Sequence, residues 1–110
     1  MKVRLDSVDV WRPTIHLSVS RLPLIIGRSS DSHLRIDDRW VSRHHCDIQE
    51  VDGELVVRDL ESRHGTLVNG VHIAQSPLLP GDELTIGIRT LRVSYRRTNV
   101  PSELGALSQL

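Results

Sequence analysis

Apolar and polar residues alternate with period two through most of this chain. Ile15, Leu17 and Val19 interleave with His16, Ser18 and Ser20, and Cys46 and Ile48 with Asp47 and Gln49. Leu84 and Ile86 flank Thr85, and Leu91, Val93 and Tyr95 interleave with Arg92, Ser94 and Arg96. Successive side chains of an extended strand point to opposite faces, so each run predicts a strand with one apolar face. Val3 to Val10 reads as the first strand, with a β-bulge resetting the phase between Leu5 and Val8. Asp52-Gly53 and Asn69-Gly70 separate paired runs, and both dipeptides accept the positive φ angles of a tight type I′ hairpin. Pro80-Gly81-Asp82 marks another turn. Short strands at roughly ten-residue spacing, with no helical period before residue 100, predict an all-β sandwich or barrel.

Composition adds what such a sandwich is built from. The chain has 15 Leu, 12 Val and 8 Ile but only Trp11, Trp40 and Tyr95 as aromatics, so the core is aliphatic. That scarcity of rings weighs against nucleic-acid modules that stack bases on aromatic side chains. Lys and Arg total 14 and so do Asp and Glu, and a neutral chain lacks the excess charge of a general nucleic-acid or anionic-membrane binder. Cys46 is the lone cysteine, which excludes an internal disulfide and fits a reducing compartment. Runs such as Leu24-Ile25-Ile26 are too short for a bilayer span or a signal peptide. The expectation is a soluble, cytoplasmic protein. A length of 110 residues suits one domain. Residues 1–97 are assigned to it, with 98–110 as a C-terminal tail or linker. Within that tail Leu104, Leu107 and Leu110 recur every three residues, which reads either as a frayed end or as a docking segment.

Three polar loops interrupt the strands and carry the candidate chemistry. They are Gly27-Arg28-Ser29-Ser30-Asp31-Ser32, the stretch from Asp37 to His45, and Glu61-Ser62-Arg63-His64-Gly65-Thr66. Each joins a guanidinium to hydroxyl groups. Gathered at one end of a sandwich, they would make a donor-rich anion site, because the planar fork of Arg matches phosphate oxygens and hydroxyls fill the remaining acceptors. Rival chemistries are poorly supplied. His44, His45, Cys46 and His64 lack metal-ligand spacing, so no metal is expected. A Ser42, His45, Asp59 triad lacks a nucleophile elbow, and no Walker-type glycine loop is present, so neither an enzyme nor a nucleotide cofactor is expected.

The ordered set Gly27-Arg28, Ser42-Arg43-His44-His45 and Gly65-Thr66-Leu67-Val68-Asn69-Gly70 resembles the forkhead-associated (FHA) domain family. Leu34-Arg35-Ile36-Asp37 and Leu79-Pro80-Gly81-Asp82-Glu83-Leu84-Thr85-Ile86-Gly87 are similar to its flanking signatures. The resemblance implies a β-sandwich of about eleven mostly antiparallel strands that binds phosphothreonine peptides across loops at one end. It implies a non-catalytic module whose partners are phosphothreonine proteins, a Ser/Thr kinase or its substrates. By position, Arg28 and Ser42 would hold the phosphate, and Arg43 and Arg63 would contact phosphate or peptide or else carry rim charge. His45 would brace the loop, Gly27, Gly65, Asn69 and Gly70 would shape the turns, and Thr66 belongs to the same structural motif. His64 stands where the family usually has an Asn that bonds the peptide backbone; neutral His can also donate and accept, with a larger ring. Arg39 and Trp40 would touch residues flanking the phosphate, or Trp40 would pack down to anchor its loop. The alternative reading is a phosphate-independent interaction or oligomerisation domain that uses a strand face or the leucine-bearing tail.

Overall fold

Eleven strands carry the regular structure of residues 1–97, the part of the chain that the computed structural model describes. The expected tail, 98–110, lies outside the described residues. The strands are β1 (Val3–Ser7), β2 (His16–Val19), β3 (Leu24–Gly27), β4 (Leu34–Arg35), β5 (Cys46–Val51) and β6 (Glu54–Asp59). They continue as β7 (Thr66–Val68), β8 (Val71–Ile73), β9 (Gln75–Leu78), β10 (Glu83–Ile86) and β11 (Arg89–Tyr95). One sheet has the order β2-β1-β11-β10-β7-β8 and the other β4-β3-β5-β6-β9. Among the strand pairings of the described residues only β3 with β4 is parallel. Among the described residues there is no helix long and apolar enough to cross a membrane.

The period-two pattern explains the packing. Val3, Leu5, Leu84, Ile86, Leu91 and Val93 from the first sheet meet Leu24, Ile26, Ile48, Leu55, Val57 and Leu78 from the second in one aliphatic core, all buried. The register sets Val3 opposite Tyr95 and Ser7 opposite Leu91. Tyr95 ties the sheets together: its hydroxyl donates to the Leu78 carbonyl at 2.5 Å and accepts the Leu55 N–H at 3.2 Å. Both expected hairpins form, with φ of 52° and 80° at Asp52 and Gly53 and of 50° and 81° at Asn69 and Gly70.

Two local expectations are corrected, and one strand lies outside them. The first strand has no bulge and stops at Ser7, so the break in apolar phase marks its end. Ser7 passes its N–H to the Ile15 carbonyl, Val8 passes its own to Thr90, and Val10 is left 88% exposed. The chain turns there because Asp9 folds inward. Its carboxylate accepts Arg89 Nε at 3.0 Å and the N–H groups of Thr90 and Trp11, in a pair with side chains only 5% (Arg89) and 10% (Asp9) exposed. Asp47, expected on a solvent face, is buried beneath Arg58, whose Nη2 donates to it at 2.7 Å. Strand β9 was not foreseen: Gln75-Ser76-Pro77-Leu78 shows no clean alternation, and Pro77, which has no N–H, fits there because β9 is an edge.

Candidate functional site

The loop after β3 and the loop before β5 are zipped together. Arg28 donates its N–H to the Ser42 carbonyl at 2.9 Å, and Ser29 donates to the Arg43 carbonyl at 3.0 Å. This approach demands glycine at position 27, where a Cβ would lie 2.1 Å from the Arg43 carbonyl oxygen. The Arg28 side chain reaches back over this seam. Its Nε donates to the Val41 carbonyl at 3.0 Å, which fixes the guanidinium and leaves its two terminal nitrogens without a partner among the described residues. Arg35 Nε donates to the Arg28 carbonyl at 3.0 Å and braces the same turn.

Ser42 joins this pair of loops to the third. Its Oγ accepts the Arg63 N–H at 2.9 Å, so the hydroxyl proton stays available to a further acceptor. His45 does the same from beneath, fully buried: Nδ1 accepts the Ser42 N–H at 3.1 Å and Nε2 donates to the Gly65 carbonyl at 2.8 Å. That pattern fixes the tautomer with its proton on Nε2. Asp59, at the end of β6, holds the third loop in shape by accepting the Ser62 N–H, the Ser62 hydroxyl and the Thr66 hydroxyl. Burial pushes the Asp59 carboxyl up, but these donors outweigh it and hold the group below its ordinary value.

These bonds also decide the rival constellations. Both ring nitrogens of His45 serve backbone groups, and Asp59 serves Ser62 and Thr66, so Ser42, His45 and Asp59 are not linked as a triad. His44 and His45 diverge, His44 turning out to Asp31 at 2.8 Å. Asn69 and Gly70 sit away from the rim. The Asn69 amide donates to Asp82 and accepts from the Glu83 N–H, locking the β7–β8 hairpin to β10.

The remaining expected residues are exposed on the same rim. The guanidiniums of Arg43 and Arg63 have no partner among the described residues. His64 meets Trp40 edge to face, with ring centroids 4.9 Å apart and planes at 68°. Trp40 remains 46% exposed, so it neither packs fully down nor stands free. Its loop is docked on the β10–β11 turn, where Asp38 accepts the N–H groups of Trp40 and Ile88. Trp40, His64, Gly65, Leu67, Gly87 and Ile88 thereby line a groove of about 190 Å³.

The sequence profile of the FHA domain matches residues 24–87. The chain belongs to the FHA domain family. Over 61 residues it is 41% identical to the glycogen accumulation regulator GarA of Mycolicibacterium smegmatis, covering 56% of this chain and 39% of that protein. It is 39% identical over 64 residues to the FHA domain-containing protein FhaA of Mycobacterium tuberculosis, covering 57% of this chain and 12% of FhaA. The match thus spans well under half of either relative. In three dimensions it is similar to an FHA domain solved in a study of phosphothreonine-dependent FHA domain interactions, with 30% identity and a TM-score of 0.75 over 87% of this chain and 98% of that one. It is similar also to the FhaA FHA domain complexed with the intracellular domain of Rv3910, with 32% identity and a TM-score of 0.71 over 83% and 98% of the two chains.

Sequence reasoning missed several parts of this FHA rim. The Val41 carbonyl that anchors Arg28 carries no side-chain signal at all. Asp59 had one, since Asp followed by Ser three positions on is the spacing of a side chain that closes its own turn. The contact between Asp38 and Ile88 joins residues fifty positions apart and leaves no local trace.

Proposed function

We propose that residues 1–97 are a non-catalytic module that recognises phosphothreonine in a peptide of a protein partner, downstream of a Ser/Thr kinase, with 98–110 as tail or linker. The observation that carries this reading is the Arg28 guanidinium. It is pinned through Nε on Val41, with both terminal nitrogens open, on the seam that also holds the Ser42 hydroxyl. A phosphothreonine carries nearly two negative charges and three acceptor oxygens. Arg28 supplies a two-pronged donor, Ser42 supplies O–H, and Arg43 and Arg63 add charge from either side. His64 and Trp40 line the path of the peptide backbone.

Relatives support the reading at family level: one solved FHA neighbour comes from work on phosphothreonine-dependent interactions, and another is seated on an intracellular domain of a second protein. The commitment of both His45 nitrogens to backbone groups supports a recognition role rather than catalysis.

Charge-assisted hydrogen bonds net ~1.5–3 kcal/mol each, and three or four of them, less the cost of ordering a peptide, correspond to about micromolar affinity. The test titrates one peptide with and without phosphate on its threonine, at two salt concentrations. Binding of the phosphorylated form alone is expected, with Arg28→Ala costing on the order of 2–5 kcal/mol. Equal affinity for both forms would overturn the reading in favour of a phosphate-independent interaction domain.

A further inference from the structure

The arginines of this chain fall into two groups. Arg4, Arg35, Arg58, Arg89, Arg92 and Arg97 pair with carboxylates at distances up to 3.7 Å. Arg12 and Arg39 have no carboxylate partner among the described residues, and both line one cavity of about 360 Å³ beside the loop that carries Ser42. Arg35 lines it too, and Ile15, Ile36 and Ile88 give it an apolar wall.

Arg12 and Arg39 are each oriented by a group that leaves the charge intact, whereas Arg35 is paired with Asp37 on the same lining. Arg12 Nη1 donates to Thr14 Oγ1 at 2.8 Å. Arg39 stands 5.6 Å from the centroid of the Trp40 ring. Arg35 spends its Nε on the Arg28 carbonyl and lies 3.7 Å from the exposed carboxylate of Asp37. The other charges lining the cavity are already engaged: Asp38 accepts from Trp40 and Ile88, and Arg89 is matched by Asp9. The cavity therefore offers positive charge with preset directions around an aliphatic wall.

We propose that this cavity is a second anion subsite, which takes acidic side chains flanking the phosphothreonine in the same peptide. The proposal rests on the phosphopeptide reading above. Two features join the cavity to that site. Ile88 borders both it and the groove of Trp40 and His64, so the two are neighbours, and Arg35 bonds directly to the backbone of Arg28. A carboxylate on an aliphatic stem matches both the cations and the apolar wall, which a free inorganic anion does not.

The experiment compares two phosphothreonine peptides of equal length by fluorescence anisotropy, one with Asp and Glu on both flanks and one with Ala on both. Wild type is expected to bind the acidic peptide roughly fivefold tighter, the size that two exposed ion pairs supply. In Arg12→Gln/Arg39→Gln that ratio should fall to about one, while the charge-matched Arg21→Gln/Arg96→Gln, outside the cavity, keeps it. Absence of a preference in wild type overturns the proposal, as does a ratio that survives Arg12→Gln/Arg39→Gln or falls equally in both double variants. Arg28→Ala separates the two layers. Loss of both peptides upholds the phosphate site, and retention of both overturns that underlying reading whatever the flank ratio does.

Discussion

The Ser42 hydroxyl oxygen accepts the backbone N–H of Arg63 at 2.9 Å, across a sequence separation of 21 residues. One side chain therefore holds two loops in register and still has a proton to give. Ser42→Ala removes both contributions. Phosphopeptide affinity is expected to fall about 10- to 100-fold, since a hydrogen bond to a charged group is worth ~1.5–3 kcal/mol. The lost loop contact should lower the melting temperature by only a few degrees. Calorimetric titration with a thermal melt checks both, and a lowered melting point with unchanged affinity would assign the hydroxyl to loop bracing alone.

Tyr95→Phe provides the opposite separation. It deletes the bonds to Leu78 and Leu55 that span the two sheets, at a cost of about 1–3 kcal/mol in chemical denaturation. Its position opposite Val3 is remote from the rim, so the phosphopeptide dissociation constant should not change. A weakened affinity would mean that the two ends of the sandwich are coupled.

Acid should unfold the domain partly through Asp9 and Asp59. Burial works against the charged form of each, but hydrogen bonds outweigh it: from Arg89, Thr90 and Trp11 for Asp9, and from Ser62 and Thr66 for Asp59. Both carboxyls thus lie below their ordinary range when folded. A group depressed in this way stabilises the fold fully above its unfolded value near ~3.9 and loses that contribution as pH falls through the folded value. The stability gap between wild type and Asp59→Asn should accordingly be widest near neutrality and narrow below about pH 4, measured by urea unfolding across the range. A gap that stays constant into acid would remove Asp59 from the account.

Cys46 should resist modification in the native protein. Its side chain is fully buried, and that burial, reinforced by the charges of Asp59 and Asp47, pushes the thiol far above its ordinary range. Reaction with an aromatic disulfide reagent at pH 8 is expected to follow the rate of unfolding and to become immediate in denaturant. Rapid labelling of folded protein would show that β5 opens locally.

The parts of the fold legible in the sequence are those set by local rules. Asp52-Gly53 and Asn69-Gly70 announce hairpins because their backbone angles are intrinsic to those residues. The core strands announce themselves because one face is dry. Val8 and Val10 misled because an apolar residue at a strand end looks like one inside it, and only Asp9 reaching Arg89, eighty positions away, shows where the strand stops. At the rim, the residue types Arg28, Ser42, His45 and Gly65 were readable from their ordered motif. The bonds that make them one unit were not, since Val41 contributes a carbonyl and Ser42 contributes an acceptor to a backbone amide. Backbone partners of this kind have no residue-type signature.

Val3 stands across from Tyr95 on neighbouring strands, while Ile88, at the other end of β11, borders the rim. Both ends of the described chain therefore lie at the pole opposite the rim of Arg28 and Ser42. Fusing a second domain directly to Val3 or to Tyr95 would therefore place the junction on the face opposite Arg28 and Ser42, and such a fusion is expected to leave that rim uncovered.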